Sequence, residues 1–278
     1  MRPSVLSRVS SLAAALVAAG LIFLPLWWVF ASSLRPGNTF VEYLTPLSWT
    51  AFLPLGGSFT NYSVLLSGDF ARALLNSFFV AGATVVLGLV IAVLAAYALA
   101  VLDFPGRGLV FAFVILVSMV PFDAIAIPLS GLFSTWRLSD TYAGLILPAL
   151  ANGFSIFVLR QFFLGVPREL LDAAEVDGLG RLGILIRIVL PLSKPALIGA
   201  ALMLFLSQWQ AYLWPLLIGT SPAKQLAPIA LANLSSLYQV DLGQILAGSF
   251  VLSVVPMILL LFFQRQYTDS LSTTGLRG

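Results

Sequence analysis

Six stretches of this chain are each apolar over about 20 residues or more, the length a helix needs to cross ~30 Å of hydrocarbon. They run from Ser11 to about Ser33, Asn76 to Leu102, Gly108 to Phe133, Tyr142 to Phe163, Leu185 to Ile218 and Leu242 to Phe263. In lipid every backbone N–H and C=O must be paired within the protein, and apolar runs of about 20 residues achieve this as helices. The pattern predicts an all-α, polytopic membrane protein with six transmembrane helices. The surface supports this, because 60% of the residues are hydrophobic and 9% charged, against roughly 25% charged in a soluble domain. Lipid is therefore the expected neighbour of much of the chain.

Two stretches need comment. The first follows Arg2 and Arg8 and ends in Ala31-Ser32-Ser33, as a signal peptide does, but it is too long for one. Pro25, Trp27 and Trp28 fit a helix end at the membrane interface, which makes it an uncleaved anchor. The fifth is too long for one straight helix and contains Pro191, Pro195 and Pro215, so its ends are expected to bend.

Basic residues set the orientation. With the N-terminus inside, Arg2, Arg8, Arg107, Arg160, Arg168, Arg181, Arg187, Lys194, Arg265 and Arg277 are cytoplasmic, while Arg35, Arg72, Arg137 and Lys224 are outside. This 10 to 4 division predicts that both termini are cytoplasmic. The segment from Leu34 to Leu75 then forms an ordered extracytoplasmic loop with interfacial helices. The net charge of +3 reports this orientation and does not point to nucleic acid.

The composition also removes chemistry. Without cysteine or histidine the chain has no thiolate or imidazole metal ligand and no Ser-His or Cys-His nucleophile. Neither Lys194 nor Lys224 stands in a phosphate-binding loop, and the glycines Gly178, Gly180 and Gly183 follow a helical segment where a dinucleotide fold requires a strand. They read as a turn between helices.

Four of the eleven acidic residues fall in one short segment, Val166 to Gly178. Pro167 suits a helix start, Glu169 and Asp172 favour its positive end, and Gly178 can take the left-handed conformation that stops it. Ala173 and Ala174 are expected to give this helix a side without bulk, between the carboxylates of Asp172 and Glu175, suited to close docking.

The spacing here resembles the EAA loop of ABC importer permeases: Glu-Ala-Ala, three residues, Gly, nine residues, Ile, one residue, Leu-Pro. In this chain Asp172-Ala173-Ala174 is followed at the same intervals by Gly178, Ile188 and Leu190-Pro191, with Asp172 in place of Glu. Asn76-Ser77, Ala95-Ala96-Tyr97-Ala98-Leu99, Phe104-Pro105-Gly106-Arg107, Val120-Pro121, Asp140-Thr141, Gly144-Leu145-Ile146-Leu147-Pro148, Leu159-Arg160-Gln161-Phe162-Phe163 and the closing Gly275-Leu276-Arg277-Gly278 are similar to runs in carbohydrate-importer permeases. The chain most resembles the smaller, six-span permease of maltose-type systems, and Trp209 to Leu216 looks like glycerol 3-phosphate permeases, with Gln210 where Asn is usual.

The resemblance implies an anchor and outer loop over 1–69, a permease domain over 70–266 with the EAA loop at 166–191, and a cytoplasmic tail over 267–278. It implies ATPase coupling through Glu169, Asp172, Ala173, Ala174, Gly178, Ile188, Leu190 and Pro191. It also implies a second permease in a heterodimer, two ATPase subunits that hold ATP and Mg, and an extracytoplasmic solute-binding protein. No cofactor is expected on this chain, which is not expected to be an enzyme.

For the solute pathway the residues offer Asp123, a costly carboxylate inside a span. On a straight helix it lies about 15 residues, or ~22 Å, from the cytoplasmic end, flanked by Pro121 and Pro128. Asn152, Gln208, Gln210 and Trp209 add amides and a ring of the kind that holds sugars, although interhelical hydrogen bonding accounts for the same residues. An ion-driven secondary transporter is the alternative reading, but it calls for several buried carboxylates and inverted repeats that are not evident.

Overall fold

The structure is a computed structural model that describes residues 5–36, 49–54, 56–236 and 239–275. Arg2, the loop stretch 37–48 and Arg277 lie outside the described residues, and for 5–10, 236, 239–240 and 265–275 the backbone alone is described. The described chain is helical apart from one small hairpin. In order the helices are α1 (Val5–Ser33), α2 (Thr60–Ser67), α3 (Asp69–Ala100), α4 (Arg107–Ser118), α5 (Phe122–Thr135), α6 (Tyr142–Ile146) and α7 (Gly153–Leu164). Then come α8 (Arg168–Val176), α9 (Arg181–Ile184), a π-helical turn at Leu185–Val189, α10 (Leu190–Leu192), α11 (Lys194–Trp209), α12 (Leu213–Ile218) and α13 (Ala227–Asn233). Strands β1 (Ser235–Ser236) and β2 (Gln239–Val240) pair antiparallel before α14 (Leu242–Gly275).

Three helices are long and apolar enough to cross a membrane, over Ser11–Ser33, Asp69–Ala100 and Leu242–Gln264. Three bent pairs meet the same test, Arg107–Ser118 with Phe122–Thr135, Tyr142–Ala149 with Gly153–Leu164, and Arg181–Leu192 with Lys194–Trp209. Counting each pair as one span gives the six apolar stretches of the sequence. The bends, 90°, 46° and 85°, follow local chemistry. Pro121 is extended (φ −60°, ψ 123°) and cannot continue α4 into α5. Asn152 caps α7 by accepting from the Ser155 N–H at 2.8 Å. Pro191 and Pro195 bracket the break at Ser193, as the long fifth stretch leads one to expect. That stretch divides again after Trp209, leaving α12 as a separate short helix.

Contacts divide the chain into two units, one of residues 1–71 with 230–255 and one of 72–229 with 256–278. In the first, the end of α1 is tied to the segment that follows it. Trp27 Nε1 donates to the Phe52 carbonyl at 3.0 Å, Asn61 Nδ2 donates to the carbonyls of Ser33 and Arg35 at 2.7 Å each, and Ser33 bonds the Tyr62 hydroxyl at 2.6 Å. Ala31, Ser32 and Ser33 are buried there. Phe30 packs on Phe250 of α14, with ring centroids 4.8 Å apart.

The second unit has two apolar clusters. One gathers Ala92, Ala96 and Ala100 of α3 with Leu159 and Phe163 of α7, Ala174 of α8, Val189 and Ala196 and Ala200 of α11. The other gathers Val80, Ala126, Phe133, Leu145, Trp214, Ile218 and Leu226. Because α3 contributes to both, and Asn76 and Tyr97 are about 31 Å apart along it, the clusters mark opposite ends of the unit.

Candidate functional site

The acidic segment forms α8 as its charges and Pro167 lead one to expect. Gly178 has φ +81°, and the N–H groups of Gly178 and Leu179 bond the carbonyls of Glu175 and Ala174 at 3.0 and 2.9 Å. This is a Schellman turn, which pairs the last carbonyls of the helix by way of a left-handed residue. A Cβ on Gly178 would meet nothing within 4 Å, so backbone conformation and not space calls for glycine.

The two alanines do not form one docking side. Ala174 is 4% exposed and belongs to the chain's own cluster, with Leu171 packed beside it, whereas Ala173 is exposed. Successive residues on a helix point about 100° apart, so a helix that buries one alanine turns the other outward. The exposed side of α8 carries Glu169, Asp172, Ala173 and Val176, the last 88% exposed, with Leu170 at its edge. Arg168 and Asp172, four residues apart, are both exposed and form no ion pair. The sequence reading overlooked Leu170 and Val176, because apolar residues in a membrane protein are unremarkable until their neighbours are known. Beyond the turn, Ile188 is half-buried and Leu190 and Pro191 lie at the base of the 85° bend, while Ile184, Leu185 and Val189 anchor the segment in the cluster.

The five pathway candidates separate into different roles. Asn152 is the cap of α7, and Trp209 is buried between Phe78 and Phe205 with centroids at 4.9 and 5.3 Å, so both are accounted for by packing. Gln208 is 6% exposed, and its Nε2 has no hydrogen-bond partner among the described residues. Asp123 and Gln210 are exposed. The ~22 Å expected for Asp123 rests on a straight helix, whereas the chain bends by 90° just before this residue. Asp123 opens α5 and Gln210 closes α11. Phe122 and Trp214 meet edge-on at 5.6 Å, which brings these two helix breaks side by side.

The end opposite α8 is held by polar side chains to which the sequence reading assigned no role. Asn76 Nδ2 donates to the carbonyls of Ala223 and Gln225 at 3.0 and 2.9 Å, and its Oδ1 accepts from the Tyr142 hydroxyl at 2.8 Å. Ser77 accepts the Ala227 N–H at 2.8 Å, and Lys224 Nζ lies 3.5 Å from the centroid of Tyr142. Asp140 accepts from the Ser221 N–H at 2.7 Å and the Thr220 hydroxyl at 3.0 Å. The Ser221 N–H foremost, with the Thr220 hydroxyl, holds the Asp140 carboxyl below its ordinary 3.8. Trp214 Nε1 donates to the Gly144 carbonyl at 3.0 Å, and a Cβ at Gly144 would lie 2.1 Å from the Leu138 carbonyl oxygen, which restricts that position to glycine. The available signal was the short runs around Asn76, Asp140 and Gly144, whose partners are far along the chain.

Residues 84–270 match the family described as binding-protein-dependent transport system inner membrane component. An arabinooligosaccharide transport system permease protein of Bacillus subtilis is 34% identical over 93% of this chain and 92% of its own length. A trehalose transport system permease protein of Mycobacterium tuberculosis is 32% identical over 94% and 95%. An sn-glycerol-3-phosphate transport system permease protein of Yersinia pestis is 34% identical over 74% of each. Among solved structures, a bacterial ABC transporter involved in import of the acidic polysaccharide alginate superposes with a TM-score of 0.77 at 22% identity, covering 96% of this chain and 99% of that one, a likeness of fold.

Proposed function

The chain belongs to the family of binding-protein-dependent transport system inner membrane components, and from that premise we propose that it forms half of a solute pathway driven through α8 by separate ATPase subunits. As a member it is a multi-pass inner-membrane transport component, which sets the ion-driven alternative aside. The observation that carries the proposal is the seating of α8. Its Ala174 side is buried in the helical cluster, and its Asp172 side offers carboxylates and exposed apolar residues to a partner.

A second permease completes the pathway, a solute-binding protein delivers to it, and ATP and Mg are held by the ATPases. When the ATPases close they displace α8, and the paired permeases change from inward-facing to outward-facing. Both termini are cytoplasmic in this reading. Single cysteines at Ser58 and Ser272 of this cysteine-free chain test it, since an impermeant reagent on intact cells should label the first and not the second.

The solute we propose is a sugar or sugar-like molecule, supported by relatives named for arabinooligosaccharide and trehalose transport. Asp123 and Gln210 are exposed at adjacent helix breaks, where a carboxylate and an amide accept hydrogen bonds from hydroxyls. A carboxylate at this place repels phosphate, which disfavours an anionic solute unless the second permease supplies a positive charge. With all subunits in vesicles, Asp123→Asn should alter the solute profile while basal ATP hydrolysis survives. An unchanged profile in Asp123→Asn and Gln210→Ala would remove both from the pathway.

Coupling is tested at Gly178. Gly178→Val forces a β-branched residue to φ +81° and should abolish uptake at unchanged membrane level, whereas Gly178→Asn, which tolerates that region, should retain most of it. Wild-type uptake by Gly178→Val, with the ATPase still copurifying, would refute the role of α8.

A further inference from the structure

A helix that is pushed from outside moves its neighbours only if the contact between them resists sliding. The cluster that seats α8 holds the elements together by apolar packing, which is not directional. On α3 it presents Ala92, Ala96 and Ala100, four residues apart on one face, with Val93 and Leu99 beside them, and it gathers Leu159, Phe163, Ala174 and Val189. Such packing sets how close the helices lie, but no single contact in it has one partner and one geometry. Two directional contacts cross the same region.

The buried Tyr97 of α3 donates its hydroxyl to the carbonyl of Arg181 at 3.0 Å, where α9 begins just after the Gly178 turn. Two residues along α3, the Leu99 carbonyl accepts from Arg160 Nε of α7 at 3.0 Å. Leu99 lies in the last turn of α3, whose carbonyls have no partner within the helix and whose dipole favours a cation. The Arg160 guanidinium carbon also lies 3.9 Å from the centroid of the Phe111 ring on α4, the helix that bends 90° into α5 and Asp123. Arg107, at the start of α4, returns to the Leu102 carbonyl at 3.0 Å and to Asp103 at 3.1 Å. The end of α3 is thus bonded to the coupling segment on one side and to α7 and α4 on the other.

We propose that Tyr97 and Arg160 are positioning residues that make the end of α3 the relay between the coupling segment and the bent α4–α5 helix. Displacement of α8 and α9 pulls on α3 through the Arg181 carbonyl, and Arg160 passes it to α7 and, by its cation–π contact, to α4. Without these contacts only non-directional packing carries the displacement, and more ATP is hydrolysed for each solute moved. The proposal rests on the coupling role of α8.

The test uses the complete transporter, reconstituted with its ATPases, second permease and binding protein, and reads solute taken up per ATP hydrolysed. Tyr97→Phe removes one hydroxyl and no packing, so assembly and ATP hydrolysis should persist while uptake per ATP falls about fivefold, in proportion to one hydrogen bond. Arg160→Gln should behave alike, and Arg160→Lys, which keeps a cation over Phe111, should recover part of the loss. If Tyr97→Phe and Arg160→Gln both keep wild-type uptake per ATP while Gly178→Val loses uptake, the relay is wrong and the coupling role stands. Should Gly178→Val also keep wild-type uptake, the coupling role fails first. Uptake and hydrolysis falling together, with less complex recovered, would mark the contacts as merely structural and overturn the proposal.

Discussion

The two ends of the larger unit are built by different means. At the α8 end the elements meet through a broad apolar cluster, crossed only by the Tyr97 and Arg160 hydrogen bonds among those described, and the helix it seats turns its charges outward. At the opposite end Asn76, Ser77, Asp140 and Trp214 bond directly to the backbone of other segments, and aromatic rings fill the spaces between. Backbone hydrogen bonds fix the path of a loop, because each has one partner and one geometry. Apolar packing has no such single partner. One end therefore holds the 219–227 segment in shape, and the other leaves a helix that a partner can displace.

Substitutions that cross this division test it, and the largest effect should come from the two alanines. Ala174→Trp inserts an indole into a closed cluster, where overpacking costs about 1–3 kcal/mol or more, and should unseat α8 and abolish uptake together with recovery of folded protein. Ala173→Trp, on the exposed side, should leave folding intact and weaken copurification of the ATPase. Equal melting temperatures for the two in detergent would show that the assignment of faces is wrong.

An intermediate effect is expected at Asn76, which is buried and serves two carbonyls and one hydroxyl. Asn76→Ala leaves these groups unpaired, at about 1–3 kcal/mol for each that water does not reach. The thermal midpoint should fall by several degrees while ATPase copurification, which depends on the other end, is unchanged. Loss of copurification with an unchanged midpoint would contradict the division.

The smallest effect concerns pH. The carboxyl of Asp140 is held below its ordinary 3.8 in the folded chain, so its contribution is fully present above that value and lost as pH falls through the lower folded value. Asp140→Asn should melt slightly below wild type at neutral pH, and the difference should close below pH 3.8. A difference that persists at pH 2 would assign the effect to shape and not to charge.

Much of this was legible in the chain because it is local. Six apolar windows, a bend around Pro191 and Pro195, an acidic helix within 166–178 and a left-handed Gly178 each depend on a few neighbouring residues, and each is present. The spacing from Asp172 to Pro191 carried the family for the same reason. What the sequence could not supply was the direction in which a side chain faces. Ala173 and Ala174 are indistinguishable in the chain, and burial of Ala174 follows from which helices surround α8. Asn152 and Trp209 looked like pathway residues until their partners appeared, a helix end and two rings. Asn76 bonds residues 147 and 149 positions away, beyond any local window. Hydropathy and backbone preference act within a turn or two of helix, and the sequence determines them alone; hydrogen bonds and packing across the fold exist only once distant segments are brought together, and those the tertiary structure decided.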